Sequence, residues 1–408
     1  MVGRASAVLA PCPFPPPPAW AHDITAIGVT GTNGKTTTCA FLAAALRASG
    51  APVLRVTTVG SFLDDERLDV EEDHEGFVRA LELCRDAGGR HAVLEVTSEA
   101  LAVGFARAWP LRIGVFTNLT RDHLDAHGSA EHYLASKAQL FLHLPAGGAA
   151  VLPAHDPAGA LLEEILPAGV TCLRWGRRAP ERAADVELIE SVASWTGTRL
   201  RLGLRGREIP VSLRAVGTVY AENAAAALAG AMAAGVDPDS AAARIAREPS
   251  PEGRFQIVAS KPWVVVDYAH TPDALEQTLR TARGLCAGRL TLVFGAGGDR
   301  DRGKRPQMGR IATSADRVIL TTDNPRNEEP SAIAAQVRAG MDGYGGVVEE
   351  PDRREAIRRA ITEATDAEVI VIAGKGHERT QRVGARSDPF SDVEEAERVL
   401  RSVDRAYG

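Results

Sequence analysis

The stretch from Ile24 to Thr38, ITAIGVTGTNGKTTT, constrains the fold more than any other part of this sequence. A short apolar run enters a glycine-bearing turn and leaves it as a helix-compatible run. A buried strand feeding a helix in this way belongs to an α/β fold with a largely parallel sheet. Gly31 and Gly34 permit a tight turn, so the backbone N–H groups of Thr32, Asn33 and Gly34 can face phosphate oxygens at the positive end of the helix. Lys35 is placed to reach the terminal phosphates, Thr36 to hold Mg²⁺, and Thr37 continues the loop into the helix. Val29 occupies the first glycine position of the full G-x-x-x-x-G-K-[ST] pattern. The strand and helix around the turn still favour a nucleotide-phosphate loop over a chance glycine turn.

The rest of the chain continues the alternation. Strands are expected at Ile24–Val29, His91–Val96 and Ile113–Phe116, with a helix over Thr36–Ser49. Between about 150 and 215, segments such as GVTCLRW, TRLRLGL and EIPVSL read as an α/β edge carrying antiparallel strands, followed by a helical run at Ala221–Gly235. Pro249, Pro251 and Gly253 interrupt the pattern. After them Trp263–Asp267, Leu290–Phe294, Arg317–Thr321 and Val369–Ile372 read as a second strand series. The expectation is a Pro-rich, poorly ordered tail over 1–21, one α/β domain over 22–248 and a second over 249–408.

Composition sets outer limits. With 45% hydrophobic residues the 408-residue chain can bury sizeable cores, and a net charge of −6 offers no basic surface for nucleic acid or anionic membrane. No run is apolar for long enough to span a bilayer. The five cysteines are scattered and lack CxxC spacing, which points to a reducing cytoplasm and away from disulfides or zinc.

Polar residues gather where strands should end. Glu95 closes one strand, where a carboxylate would face a ligand crevice or simply be solvated. His123, between Asp122 and Asp125, could bind a metal, whereas His127 and His132 read as surface residues and Lys137 as a solvated helical lysine. In the second series, DYAHTPDAL, GAGGDRDRGKRP, TTDNPRNEEP and GKGHE each follow a strand. Four polar loops at one sheet edge describe a site better than they describe a scaffold.

Taken together, GTNGKTTT, EVTS, TNLTRDHLD with a later SK, NAAAALA, GRF and those four loops resemble the Mur ligases, over about Thr25 to Asp392. Among them, the chain is most similar to the type that adds the third peptide residue in peptidoglycan synthesis. The resemblance implies a P-loop-type central domain and a Rossmann-like C-terminal domain. It also implies ATP and two Mg²⁺ ions, a small carboxylate or peptide substrate, and an incoming amino acid. Lys35 and Thr36 would hold the ATP phosphates and the first Mg²⁺, with Glu95 and His123 as further Mg²⁺ ligands. Lys137 would be carried as a carbamate. Asn223 would meet the adenine, Arg254 and Asp267 the phosphate and ribose, and His270 would lie near the nucleotide. Ser98 falls among the substrate-binding positions. Arg300, Asn324, Arg326, Gly374 and Glu378 would grip the amino acid, DNPR being the version that selects meso-diaminopimelate.

Three departures from the family pattern fall on the acyl substrate. Only about two dozen residues precede the phosphate strand, where the family carries a UDP-binding domain. The threonine-rich segment that contacts the muramyl peptide is replaced by Glu71, Glu72 and Asp73. The His of the strand-end motif becomes Glu99, and polar positions after it become Val103 and Phe105. These changes imply an acyl substrate other than the full UDP-muramyl-dipeptide. The rivals are the ordinary cell-wall reaction, with UDP held weakly or by a partner chain, and a non-catalytic nucleotide-binding partner of another ligase. Retention of Lys35, Glu95, His123 and Lys137 argues against the last.

Overall fold

A computed structural model describes residues 13–120, 129–179 and 181–407. The first unit is built on eleven strands: β1 (Thr25–Thr30), β2 (Val53–Thr57), β3 (Gly60–Leu63), β4 (Glu66–Arg67), β5 (His91–Glu95), β6 (Leu111–Phe116), β7 (Ala149–Pro153), β8 (Thr171–Gly176), β9 (Val186–Ser194), β10 (Gly197–Leu204) and β11 (Arg207–Leu213). They lie in the order β11-β10-β9-β8-β7-β6-β1-β5-β2-β3-β4. Pairing from β2 through β9 is parallel, while both edges are antiparallel. The central strands are buried on both faces, and β1 reads as a continuous apolar run for that reason. β10 and β11, at the edge, instead alternate buried and exposed residues.

Strand β1 lies between β5 and β6, so its C-terminal end opens at the middle of the sheet. The helix that follows, Lys35–Leu46, is buried along nearly its whole length. It packs against the Ala-rich helix Thr218–Ala233. Alanine and glycine let the two backbones approach: a Cβ at Gly230 would come within 3.1 Å of Leu42.

The second unit holds β12 (Gln256–Ser260), β13 (Trp263–Asp267), β14 (Leu290–Phe294), β15 (Arg317–Leu320), β16 (Val347–Glu349) and β17 (Val369–Ala373), in the order β12-β13-β17-β14-β15-β16. All but the β12–β13 pair are parallel. A separate hairpin, β18 (Thr380–Val383) and β19 (Arg386–Pro389), precedes the last helix.

The expected strands are present to within two residues at their ends. Strands β2, β3, β4, β7, β9, β12, β16, β18 and β19 were not foreseen. Most are short, lie toward sheet edges or carry charges, so their sequences lack a buried strand's apolar run; β7, AAVLP, is fully buried, but it is a short Ala-rich run that ends in proline. The expectation of a poorly ordered tail over 1–21 gives way from residue 13 onward. Phe14 meets Phe105 edge-on, the Arg85 guanidinium covers the Trp20 ring, and Ala21 is buried within a 3₁₀ turn, Ala19–Asp23. Aromatic side chains among the prolines supply the apolar area that anchors this segment. Among the described residues no helix is long and apolar enough to cross a membrane, and Cys39, Cys84, Cys172 and Cys286 are unpaired thiols.

Candidate active site

The turn after β1 is shaped by two glycines. Gly31 has φ +150°, and a Cβ there would overlap the Thr117 hydroxyl; Gly34 has φ +81°, and a Cβ there would overlap the Asn223 carboxamide. Both positions therefore exclude any side chain. The segment after β6 holds the turn from the side. Thr117 Oγ1 donates to the Asn33 carbonyl at 2.7 Å, Asn118 Oδ1 accepts from the Asn33 N–H at 3.0 Å, and the Thr120 N–H donates to Thr32 Oγ1 at 3.0 Å. Lys35 folds back so that Nζ donates to the carbonyls of Gly31 and Thr32, at 3.2 and 2.8 Å. A cation is thereby parked where phosphate charge would be met.

Two further cationic groups converge on this loop. Lys137, on the helix Ala130–Leu142, is 1% exposed; its Nζ donates to the Gly31 carbonyl at 2.7 Å and lies 4.1 Å from the centre of the Tyr133 ring. The helix thus delivers into the loop a lysine that reads as solvated from its sequence surroundings alone. Arg254 comes from the second unit, its guanidinium stacked 4.2 Å over Tyr268 and 3.4 Å from Thr36 Oγ1.

Thr36 Oγ1 in turn donates to Glu95 Oε2 at 2.9 Å, and the Thr58 N–H and hydroxyl approach the same oxygen at 3.3 and 3.4 Å. A buried hydroxyl beside a strand-end carboxylate is oxygen chemistry suited to a hard divalent cation such as Mg²⁺. His123, the other expected metal ligand, lies outside the described residues. Among the described residues no three His, Cys, Asp or Glu side chains group as a metal cage. Thr36 and Glu95 are the described oxygen groups that could hold Mg²⁺ beside the phosphates.

These groups line one end of a cavity of about 590 Å³ that runs between the two units. Val216, Val219, Tyr220 and Asn223 of the first unit and Ala274, Gln277 and Thr281 of the second also line it. Asn223 sits directly over Gly34, and His270 lines the same stretch with Nδ1 2.9 Å from the Tyr268 carbonyl. Asp267 also lines it, but its carboxylate is largely engaged. It accepts from the N–H of Phe255 at 2.6 Å, the N–H of Ala269 at 2.8 Å and the Thr278 hydroxyl at 3.0 Å. Three donors leave about one lone-pair site of a carboxylate's four. In this structure Asp267 ties the Arg254 loop to the end of β13. Burial pushes its carboxyl up, against those hydrogen bonds and Arg254.

The far end of the cavity is formed by the loops after β14, β15 and β17. Arg300 is exposed at the rim, its Nη1 3.4 Å from the Asp299 carbonyl, and Arg326, at φ +50°, donates from Nη1 to the Gly298 carbonyl at 2.7 Å. Burial and the nearby Arg300 guanidinium both lower the Arg326 pKa from its ordinary value. Two guanidiniums whose charges add in this way favour a carboxylate between them. Asn324, Gly374 and Glu378 line the same end. Ser98 is buried, its hydroxyl 3.2 Å from Glu99 Oε2, on the phosphate side.

Several residues in or beneath the cavity lining were not singled out from sequence. Tyr268 and His377 flank Arg254; their rings are 4.9 Å apart, and burial followed by Arg254 pushes the His377 imidazole down to about 4. Asp273 accepts from Asn33 Nδ2 at 2.8 Å across the two units. Lys375 lies beneath Asn324 and Glu378. His377 and Lys375 stand inside the GKGHE loop, so the strand-end position that drew attention to the loop could have found them.

Comparison with known proteins agrees with this geometry. Residues 29–231 match the Mur ligase middle domain, and residues 253–376 match the glutamate ligase domain of Mur ligases. The UDP-N-acetylmuramoyl-L-alanyl-D-glutamate–2,6-diaminopimelate ligase of Aquifex aeolicus is 37% identical over 383 residues, 92% of this chain and 77% of the relative. Its namesake from Solibacter usitatus is 40% identical over 385 residues, 92% of this chain and 76% of the relative. A solved ligase of the same name is 34% identical with a TM-score of 0.65, covering 93% of this chain and 79% of the other. Mycobacterium tuberculosis folylpolyglutamate synthase complexed with ADP shares the fold, at a TM-score of 0.73 and 20% identity over 94% of this chain and 91% of the other. With a phosphate loop, converging cations and a two-unit cleft matched along nearly its whole length, this chain belongs to the Mur ligase family of ATP- and Mg²⁺-dependent, amide-forming ligases.

Proposed function

We propose that this enzyme activates a carboxylate with ATP and joins it to a diamino acid of the diaminopimelate class. The observation that carries the reading is the polarity of one continuous cavity. Lys35, Thr36, Lys137 and Arg254 line it beside the glycine turn after β1, and Arg300, Arg326, Asn324 and Glu378 line it at the loops after β14, β15 and β17. Two guanidiniums suit carboxylates, and a carboxylate and carboxamide beside them suit ammonium groups. A diamino dicarboxylic acid carries both kinds of group, and the relatives' names specify 2,6-diaminopimelate.

The reaction proceeds in two steps. A carboxylate oxygen of the acyl substrate attacks the γ-phosphorus of ATP, and ADP leaves with the bridging electron pair. The amine of the amino acid then attacks the carbonyl carbon of the acyl phosphate, losing a proton as phosphate departs. Lys35 shifts from its own loop carbonyls to the transferring phosphate, and Arg254 approaches the same charge from the second unit. Mg²⁺, two ions in this reading, would neutralise phosphate charge beside Thr36 and Glu95. Lys137 takes up CO₂ on its neutral amine, releasing a proton, and so becomes an anionic oxygen ligand. Burial against the Gly31 carbonyl and the Tyr133 ring gives that amine a water-poor setting. His123 completes the metal site in this reading.

The acyl substrate is proposed to lack the UDP-sugar part. Phe105 is packed against Phe14 and Phe77, Val103 is half-exposed, and Glu71 and Glu72 face solvent, a surface ill-suited to a diphosphate. Phosphate release measured over a panel tests the whole reading. UDP-muramyl-dipeptide, UDP-free dipeptides and simple acids are each offered with diaminopimelate, lysine and monoamino acids. Release that requires diaminopimelate and a UDP-free acid is expected. Equal turnover with monoamino acids would refute the amino-acid assignment, and a strict requirement for UDP would refute the acyl assignment.

A further inference from the structure

Beneath the amino-acid end of the cavity lies a lysine that the reaction as described does not use. Lys375 is 0% exposed and does not itself line the cavity. Its Nζ donates to Asn324 Oδ1 and to Glu378 Oε2, each at 3.0 Å, and lies 4.0 Å from Asp323 Oδ1. Asn324 Oδ1 also accepts from the Arg382 N–H at 2.9 Å, and Asn324 Nδ2 donates to Glu378 Oε2 at 2.7 Å. The Asn324 carboxamide can then face only one way, because a flip would press its NH₂ against two donors. Glu378 Oε2 is held by two donors at once. Among the described residues no donor meets Glu378 Oε1, and the side chain is 32% exposed, toward the cavity.

We propose that Lys375 is the positioning residue of amino-acid recognition: its buried ammonium locks Asn324 and Glu378 so that Glu378 offers one oxygen to an ammonium group of the incoming amino acid. The proposal rests on the amino-acid reading of this pocket given above. The simpler role for a buried lysine between two acids is charge compensation alone. The two roles differ in what remains once Glu378 is neutral. A compensating lysine then has little left to do for binding, whereas a positioning lysine still fixes Asn324.

A double-mutant cycle on the full chain separates them, read as KM for diaminopimelate and KM for ATP. Lys375→Met is expected to raise KM for diaminopimelate about tenfold, the scale of one charged hydrogen bond, and to leave KM for ATP within about twofold. Should that variant fold poorly because it strands the acids, Lys375→Met/Glu378→Gln removes the base together with its directly bonded acid, leaving only the longer 4.0 Å contact of Asp323 uncompensated. Its KM for diaminopimelate is expected to exceed that of Glu378→Gln by about tenfold. Equality of the double variant with Glu378→Gln would overturn the positioning role, as would a matching rise in KM for ATP. Wild-type turnover indifferent to the amino acid offered would overturn the pocket reading, and the proposal with it. Wild-type dependence on diaminopimelate with no difference across the cycle would overturn the proposal alone.

Discussion

At the level of single residues, the site concentrates positive charge on a loop whose Thr32 and Asn33 N–H groups are donated to Asn118, not left facing the cavity as the sequence suggests. Lys35 and Lys137 both donate to the carbonyl of Gly31, so two ammonium groups share one small acceptor. Two like charges gathered on one acceptor repel each other. Conversion of Lys137 to a carbamate relieves the repulsion and supplies oxygen ligands, which is the physical case for that proposal. Lys137→Ala should lose most activity, and short carboxylates such as acetate should restore part of it by filling the vacated space. A Lys137→Ala enzyme of unchanged turnover, with no response to acetate, would remove the carbamate from the mechanism. The sequence discloses Lys137 only through family resemblance. Its helix places it among alanines and an exposed face, and nothing in that pattern marks a lysine aimed at a loop more than a hundred positions away.

At the level of elements, the second unit's strand-end loops are held by ion pairs that never touch the cavity. Arg305, fully buried, donates from Nη1 and Nη2 to the two oxygens of Glu328, at 3.0 and 2.8 Å, and from Nη2 to the Gly297 carbonyl at 2.9 Å. It thereby pins the loop after β14 to the loop after β15, which carry Arg300 and Arg326. Its hydrogen bonds pull the Glu328 carboxyl from the ordinary 4.5 down to about 2. A carboxyl depressed in the folded state contributes stability above its unfolded pKa, and that contribution drains away as the pH falls from about 4.5 toward 2. Glu328→Gln should therefore melt several degrees below the wild type at pH 7, with the gap closing over that acidic window. A gap constant with pH would show that the pair does not carry the linkage. The motifs GAGGDRDRGKRP and DNPRNEEP were legible as two polar loops at one sheet edge. Which arginine faces a ligand and which faces the partner loop was not. Arg300, Arg302 and Arg305 are alike in sequence, and only the fold sets one at the rim and another in the core.

At the level of the whole molecule, one helix spans the junction of the two units. Pro272–Leu285 is 14 residues long, and it meets the first unit at both ends. At its N-terminal end Asp273 accepts from Asn33 of the phosphate loop at 2.8 Å, and Thr271 Oγ1 lies 3.4 Å from Asn33 Oδ1. At its C-terminal end the Leu285 carbonyl accepts from Trp195 Nε1 at 3.2 Å, and the Trp195 ring stacks on Trp263 with centroids 4.0 Å apart and planes 5° from parallel. Fourteen residues of helix make a bar about 20 Å long. One end of that bar touches the loop proposed to bind nucleotide, and the other is clamped by a hairpin tip remote from it. Docking of the second unit on the first is thus tied to the phosphate loop through Asn33 at one end and held in orientation by the tryptophan pair at the other. Trp195→Ala deletes the stack and the hydrogen bond, together worth about 1–2 kcal/mol, or roughly tenfold in the docked-to-undocked ratio. The variant should keep its secondary structure and show a larger radius of gyration by solution scattering without nucleotide. ATP should draw that radius back toward the wild-type value, because the Asn33 end is intact, and KM for ATP should rise as part of the binding energy is diverted to docking. Asn33→Ala should show the complementary pattern: a near-wild-type radius without nucleotide and no compaction when ATP is added. If Trp195→Ala scatters like the wild type and binds ATP equally well, the hairpin tip is an incidental contact, and the linker at Pro249–Gly253 with the Asn33 end suffices to orient the two units.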